Sequence, residues 1–483
     1  MSLLLRVVAL VVVVVLAALA ATILLDSADE PRLAPGSGQA PGQDGDRVDP
    51  LAYTPAREGE LVAAATRGHA HVLYAKSPGG ARASAERTAR YRALVEAAAT
   101  TAKLDPDTLE AMVLLESAGR PDAVADARLE GAVGLTQILA ETGRNLLGMR
   151  VDPVGARRIG RSIRRAQRRG DGALLARLQA RRRAVDERFD PPKALAATAR
   201  YLLIARDALR REDLAVESYH MGIGNLQAAL RAYGDGDVSY ARLYFDSTPT
   251  RHAAAWRTLA GFGDDSASYL WRVMAAREIM RLYRSDPAQL DRTSGLQNAK
   301  NSAEEVMHPE AETERFATPG DLRAAYADGR IVTLSPALLA EHGIRVDAQM
   351  GELAGRLKRS PTTYRGLRPQ ALALLVVLGA GTKEISGREP LMLTSTVRDQ
   401  RYQHLLIARN GEATRRYSLH TTGWAFDILR RYRYRSRAQA LAFEFMLGRL
   451  QSHDLIAWVR EPAAIHVTVS SRAESLLGVL HAP

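Results

Sequence analysis

Cysteine is absent from the 483 residues, which excludes a disulfide framework and a thiolate metal site and neither requires nor forbids export. Aromatic residues are scarce at 6% while hydrophobic residues as a whole reach 46%, so a globular, helix-rich protein with aliphatic cores is expected. Acidic residues are outnumbered, leaving a net charge of +12. That balance points to an anionic partner: nucleic acid, a membrane surface or an acidic polymer. The length admits two or three domains with cores of their own.

Residues 7–25 form an apolar run broken only by Thr22, with Arg6 before it and Asp26, Asp29 and Glu30 after it. As a helix such a run spans about 28 Å, enough to cross a hydrocarbon core. The flanking charges place the N-terminus in the cytoplasm and the rest outside. The expectation is therefore an N-terminal transmembrane helix, residues 1–25, anchoring an extracytoplasmic (periplasmic) protein in an inner membrane. A cleaved signal peptide competes, because Ala18-Leu19-Ala20 offers small residues at A-x-A spacing. Residues 26–85 read as tether and linker: 31–50 are rich in Pro, Gly, Asp and Gln, and only 61–74 have helical character.

One carboxylate stands out in residues 109–138. Leu109, Met112, Val113 and Glu116 fall at helical spacing and share a face, and Gly119 with Pro121 stops the helix. A carboxylate that continues an apolar stripe is partly desolvated, which raises its pKa and suits a proton donor near neutral pH. The plainer alternative is a helix-end Glu that is solvated or paired with Arg120 or Arg128.

Glu116-Ser117, Arg120-Pro121 and then GAVGLTQI at 131–138 resemble the signature of soluble, lysozyme-like lytic transglycosylases, E-S followed by G-A-x-G-L-x-Q-I. AVESYHMGIGN at 215–225 resembles a second block of that family, A-x-A-Y-N-A-G-x-G-N. It departs from that block at Ser218 and at His220-Met221. Tyr269-Leu270-Trp271-Arg272-Val273 is a weaker third echo. The resemblance implies an all-α lysozyme-like domain over 86–290 that needs no cofactor, with peptidoglycan as substrate. It implies Glu116 as the acid and base that opens the bond between N-acetylmuramic acid and N-acetylglucosamine. Ser117, Gly134, Gln137, Tyr219 and Asn225 would contact the glycan, with the glycines allowing close backbone approach. Glu116 would protonate the glycosidic oxygen and then take the C6 hydroxyl proton as a 1,6-anhydro ring closes. Ordinary glycosidases need a second carboxyl group, and none is tied to the motif. Asp122 and Asp126 in the next loop keep a hydrolytic lysozyme open as an alternative.

Inside this domain, residues 150–188 form an insertion with Arg157-Arg158, Arg164-Arg165, Arg168-Arg169 and Arg181-Arg182-Arg183, threaded by Ile159, Ile163, Leu174, Leu175 and Leu178. Aromatics for base stacking are missing, which disfavours nucleic acid. A solvated basic helical insertion, or contact with an anionic wall polymer or membrane surface, is the expectation.

Residues 291–320 turn polar, lose periodicity and read as a linker to a unit at 321–483. There SLHTTGWAFD at 418–427 has the pattern S-x-H-x-x-G-x-A-x-D and resembles the zinc block of D-Ala-D-Ala carboxypeptidases and D,D-dipeptidases. That resemblance implies a small α+β domain holding Zn2+ through His420, Asp427 and a late-strand His466, with Arg398 stabilising charge on the attacked carbonyl. Two His and one Asp leave a zinc position open for water activation. The family's base is a Glu three residues before the last His. Here Glu461 lies five before His466, with Pro462 between. An extended strand would carry it about 6–7 Å farther off, and a bulge at Pro462 would restore its reach. Glu444 and His453 are other polar candidates without a motif.

Both resemblances converge on peptidoglycan, one site cutting glycan and the other stem peptide. The rival reading is a membrane-anchored, non-catalytic scaffold that binds peptidoglycan through its basic insertion and a degenerate peptidase domain.

Overall fold

The structure, a computed structural model, describes residues 49–125, 129–387, 390–409, 414–415, 417–430 and 437–480. It is mostly helical, with a sheet of five strands and a two-stranded antiparallel pair, Val332–Thr333 with Gly366–Leu367. The elements that build the first unit are α1 (Glu58–Gly68), α2 (Pro106–Ser117), α3 (Pro153–Arg169), α4 (Gly172–Val185), α5 (Pro191–Leu209), α6 (Glu212–Met221) and α7 (Tyr269–Ser285).

α2 is the centre of that unit. The Asp105 carboxylate caps it, accepting from the amides of Asp107 (3.1 Å) and Thr108 (3.3 Å), and Pro106 opens its first turn. Leu109, Glu110, Ala111, Met112, Val113 and Leu114 are all buried. The helix is thus enclosed on every side instead of lying amphipathically on a core. Glu110 tolerates this because Arg92 and Arg284 both pair with its carboxylate. Ala118 and Gly119, at φ 53 and φ 72, end the helix in the left-handed region. A Cβ on Gly119 would sit 2.5 Å from the Thr88 amide, so only glycine lets the chain pass there.

The stretch expected to be tether through residue 85 is folded from residue 51 onward. Leu61 and Ala65 of α1, with Leu73, Tyr74, Ala81 and Ala85, belong to the same core as Met112 and Trp271. α1 also docks onto the second unit, where Gln451 donates to the Gly68 carbonyl (2.9 Å) and Arg67 pairs with Asp454 (2.6 Å).

α3 and α4 make the arginine-rich insertion a helical hairpin. Ala156, Ile159, Ile163 and Ala166 face inward, and Arg157, Arg158, Arg161, Arg164, Arg165, Arg168 and Arg169 are exposed. Two arginines of this segment do something else. Arg188 forms a fully buried pair with Asp186 (2.8 Å) and donates to the carbonyls of Leu129 (2.8 Å), Gly131 (3.1 Å) and Ile138 (3.2 Å). Arg182 donates to Asp122 and lies over the Phe189 ring at 4.1 Å. The insertion therefore clamps the loop that follows Glu116.

The second unit packs α9 (Pro369–Ser386) and α10 (Arg437–Ser452) on strands β1 (Ile344–Val346), β2 (Leu391–Ser395), β3 (Ala425–Leu429), β4 (Ile456–Arg460) and β5 (Ala464–Val469). The sheet order is β1-β2-β3-β5-β4, with β1 and β2 parallel and the other pairs antiparallel. Between the units, in the stretch expected to be linker, lie the end of a helix at Pro287–Gln297 and a short helix, α8 (Ser302–Met307).

The expected transmembrane helix is corrected. Among the described residues no helix is long and apolar enough to cross a membrane, and the anchorage in an inner membrane is withdrawn with it. The apolar helix α9 spends its surface on tertiary contacts, with Leu372, Leu374, Leu375, Val376 and Leu378 all buried. Residues 7–25, where the span was expected, lie outside the described residues.

Removing one member of a buried ion pair strands the other and costs about 3–5 kcal/mol. Arg188→Met is expected to lower the thermal midpoint of the helical unit accordingly, followed by circular dichroism, and the added change Asp186→Asn should recover part of the loss. A single variant as stable as the parent would refute the clamp.

Candidate functional sites

α2 delivers Glu116 to a cleft of about 230 Å³, lined by the apolar Leu73, Pro78 and Leu115 and by the charged Arg120, Asp265 and Arg272. The Tyr269 hydroxyl, from the first residue of α7, donates to Glu116 Oε1 at 2.7 Å. Burial lifts the Glu116 carboxyl to about 7, although the Tyr269 bond and the nearby Arg272 charge favour the anion. Burial, with the Glu116 charge, also holds the Tyr269 phenol well above its ordinary value, so it remains a donor. Its ring stacks near those of Tyr219 (6.2 Å) and His220 (5.4 Å). Arg120, one alternative partner of Glu116, instead donates to the Ser117 carbonyl (2.9 Å). Arg128 is outside the described residues.

The other residues expected at the glycan site divide. Ser117 reaches the cleft and donates to the Leu135 carbonyl (2.7 Å). Gln137, in the left-handed region at φ 54, donates to the carbonyls of Gly134 (2.9 Å) and Ala123 (3.3 Å). The Tyr219 hydroxyl donates to the Thr136 carbonyl (2.7 Å). Gly134 is at φ +84, and a Cβ there would lie 1.9 Å from the Arg188 carbonyl oxygen. Ser117 of α2 and Tyr219 of α6 thus tie the loop to the helices, while Gln137 bonds within it. Asn225 donates to the Met221 carbonyl (2.8 Å), one turn back. Asp122 is engaged by Arg182 and Gln179, and Asp126 lies outside the described residues. Tyr269, Arg272 and Asp265 were missed as site residues; the only signal was the weak third echo at 269–273.

The second constellation sits on the sheet. Antiparallel register puts Asp427 on β3 directly opposite His466 on β5, and His420 comes from the turn Leu419–Thr421 just before β3. Asp427 Oδ2 is 3.2 Å from His420 Nε2, and Oδ1 is 2.8 Å from His466 Nδ1. The ligand atoms of all three residues lie within 4.8 Å of one another, a group able to hold a metal ion. Burial lowers the His420 imidazole. It also works to raise Asp427, but the two imidazoles outweigh it and hold that carboxyl well below the usual range. Burial opposes protonation of His466, yet Asp427 and Glu304 carry it up to about 10. A bound cation would displace that proton.

A cavity of about 270 Å³ opens on this group. Arg398 borders it, donating to Ser395 and to Gln403 (3.0 Å), with its guanidinium 3.6 Å from Asp427 Oδ2. Glu461 also borders the cavity, by a route different from the one expected. It is not on the strand of His466. A tight turn, closed by the Glu461 amide on the Ala464 carbonyl (2.9 Å), puts it just past the end of β4. Val459 pairs with His466 across the sheet, so Glu461, two residues on, shares that face. Glu304 of α8, whose polar surroundings gave no sign of a site, lines the cavity as well. Glu444 pairs with Arg460 (2.8 Å) and His453 packs on Phe245, both elsewhere.

No protein-family model and no curated protein matches the chain.

A carboxyl raised by folding contributes stability fully below its unfolded pKa, and that contribution fades as pH rises through its folded value. Glu116, raised to about 7, thus burdens the fold once ionised, and Gln does not. The thermal midpoint of Glu116→Gln is expected to overtake the parent's increasingly between pH 5 and pH 8. A pH-independent difference would refute the raised value.

Proposed function

We propose that the chain remodels peptidoglycan and that Glu116 cleaves its glycan by a lytic reaction. The observation behind this reading is a desolvated carboxyl, raised to about 7 and hydrogen-bonded by Tyr269, at the wall of a cleft. Near neutral pH such a group is part protonated and able both to give and to take a proton. Glu116 protonates the glycosidic oxygen as that bond breaks. The resulting carboxylate, stabilised by the Tyr269 hydroxyl, takes the proton of the muramic acid C6 hydroxyl as its oxygen closes on C1. Hydrolysis needs a second carboxyl to act on water or on the sugar. Asp122 is tied to Arg182, and Asp265, which shares the cleft, is paired with Arg272. Those pairings favour the internal nucleophile. The exposed arginines of α3 suit an anionic wall polymer.

The His420, Asp427 and His466 group fits Zn2+, whose common ligands include neutral imidazole and carboxylate. We read the second unit as a zinc D,D-peptidase acting on stem peptides. The ion would supply a Lewis acid for the peptide carbonyl and an activated water. Arg398 is placed to stabilise charge on the attacked carbonyl, and Glu461 to act as base from across the hairpin.

Mass spectrometry of digested sacculi tests the first site. The parent is expected to release 1,6-anhydro muropeptides, and Glu116→Gln to lose at least about 100-fold of that activity. Reducing-end products would mean a hydrolase, and equal digestion by the variant would remove Glu116 from the chemistry. For the second site, zinc content by atomic emission should fall in His420→Ala and persist in Glu461→Ala, with peptide trimming lost in both. No zinc in the purified parent at saturating metal would reject the metallopeptidase.

A further inference from the structure

α8 belongs to the connector between the two units, yet Asn301, Ser302, Ala303 and Glu304 form one wall of the cavity over the metal group. Glu304 is buried, at 7% exposure. Its Oε1 stands 3.2 Å from His466 Nε2 and accepts from the amide of Leu419, the residue before His420, at 3.3 Å. Its other oxygen accepts from the Asn301 side-chain amide at 3.2 Å. A carboxylate is buried at a cost unless charge and hydrogen bonds compensate, and here the Leu419 and Asn301 amides supply the hydrogen bonds and His466 of the metal group the charge.

The two imidazoles are arranged alike. His420 turns Nε2 to Asp427 and Nδ1 to the Thr396 carbonyl (2.8 Å). His466 turns Nδ1 to Asp427 and Nε2 to Glu304. In each ring one nitrogen points into the ligand group and the other meets an oxygen behind it. Such a partner fixes which nitrogen is free to bind metal, orients the ring and strengthens it as a donor. His466 Nε2 makes no aligned hydrogen bond in the protein, which leaves the Glu304 contact as its ionic support.

We propose that Glu304 is a positioning residue of the metal centre: it braces His466 from the side away from the ion, so the connector supplies part of the second unit's metal affinity. This inference rests on the reading of His420, Asp427 and His466 as a metal site. The centre is then complete only with α8 in place, which couples the peptidase unit to the segment that joins it to the glycan unit.

The test uses the full chain, with zinc affinity measured by chelator competition and the visible absorption of the cobalt-substituted protein recorded beside it. Glu304→Ala is expected to weaken zinc binding by about 10–100-fold and to shift the cobalt bands. Glu304→Gln preserves shape and keeps one acceptor oxygen for the Leu419 amide, guards against misfolding, and should bind more weakly than the parent with an unchanged circular dichroism spectrum. Parent-like affinity and cobalt bands in both variants, while His466→Ala loses the metal, would overturn the role of Glu304 alone. A His466→Ala variant that binds zinc as tightly as the parent would overturn the metal site itself, and the inference with it.

Discussion

A carboxyl group at the end of a largely buried helix keeps its proton to near neutral pH only while the protein around it holds water back, and the neighbours of Glu116 serve that condition. Residues Leu109 to Leu114 of α2 are buried, which anchors the helix immediately before the turn that carries Glu116 into the cleft. The left-handed pair Ala118 and Gly119 turns the chain away at once. Tyr269 covers the carboxyl with a hydrogen bond that steadies it in its charged form. Arg188, in the insertion, pins the loop behind it through three carbonyls.

The second unit solves a different problem, the gathering of polar groups from separate parts of the chain. Alternation along antiparallel strands puts Asp427 and His466 on one face and in register, and the turn before β3 brings His420 beside them. The hairpin between β4 and β5 returns Glu461 to the same face. The connector then closes the cavity with Glu304. Buried imidazoles and carboxylates at these distances satisfy one another electrostatically, which is why so polar a group persists inside the protein.

Much of this was legible beforehand where chemistry follows short spacing. The E-S block located the carboxyl at a helix end, and the S-x-H-x-x-G-x-A-x-D block located His420 and Asp427, two of the three residues able to hold a metal, within eight positions of each other. What failed to show were contacts made over long separations. The burial of Glu110 depends on Arg92 and Arg284, one 18 residues before it and the other 174 after it. The arginines of the insertion looked alike, whereas Arg182 and Arg188 are buried clamps and their neighbours on α3 are solvated. Counting along one strand put Glu461 on the right face but on the wrong strand, since the count assumed that the chain ran straight through Pro462.

The order of residues by itself determined the helix-capping aspartate and proline of α2, the glycines that only a left-handed backbone or a close approach requires, and the local pairing of His420 with Asp427. These depend on neighbours a few positions away, and their physics is steric or local hydrogen bonding. Only the tertiary structure decided that Tyr269 bonds Glu116, that Arg188 holds the loop and that Glu304 backs His466. Each of those contacts joins groups far apart in the chain, and burial gives it strength by removing the water that would otherwise compete for the same charges.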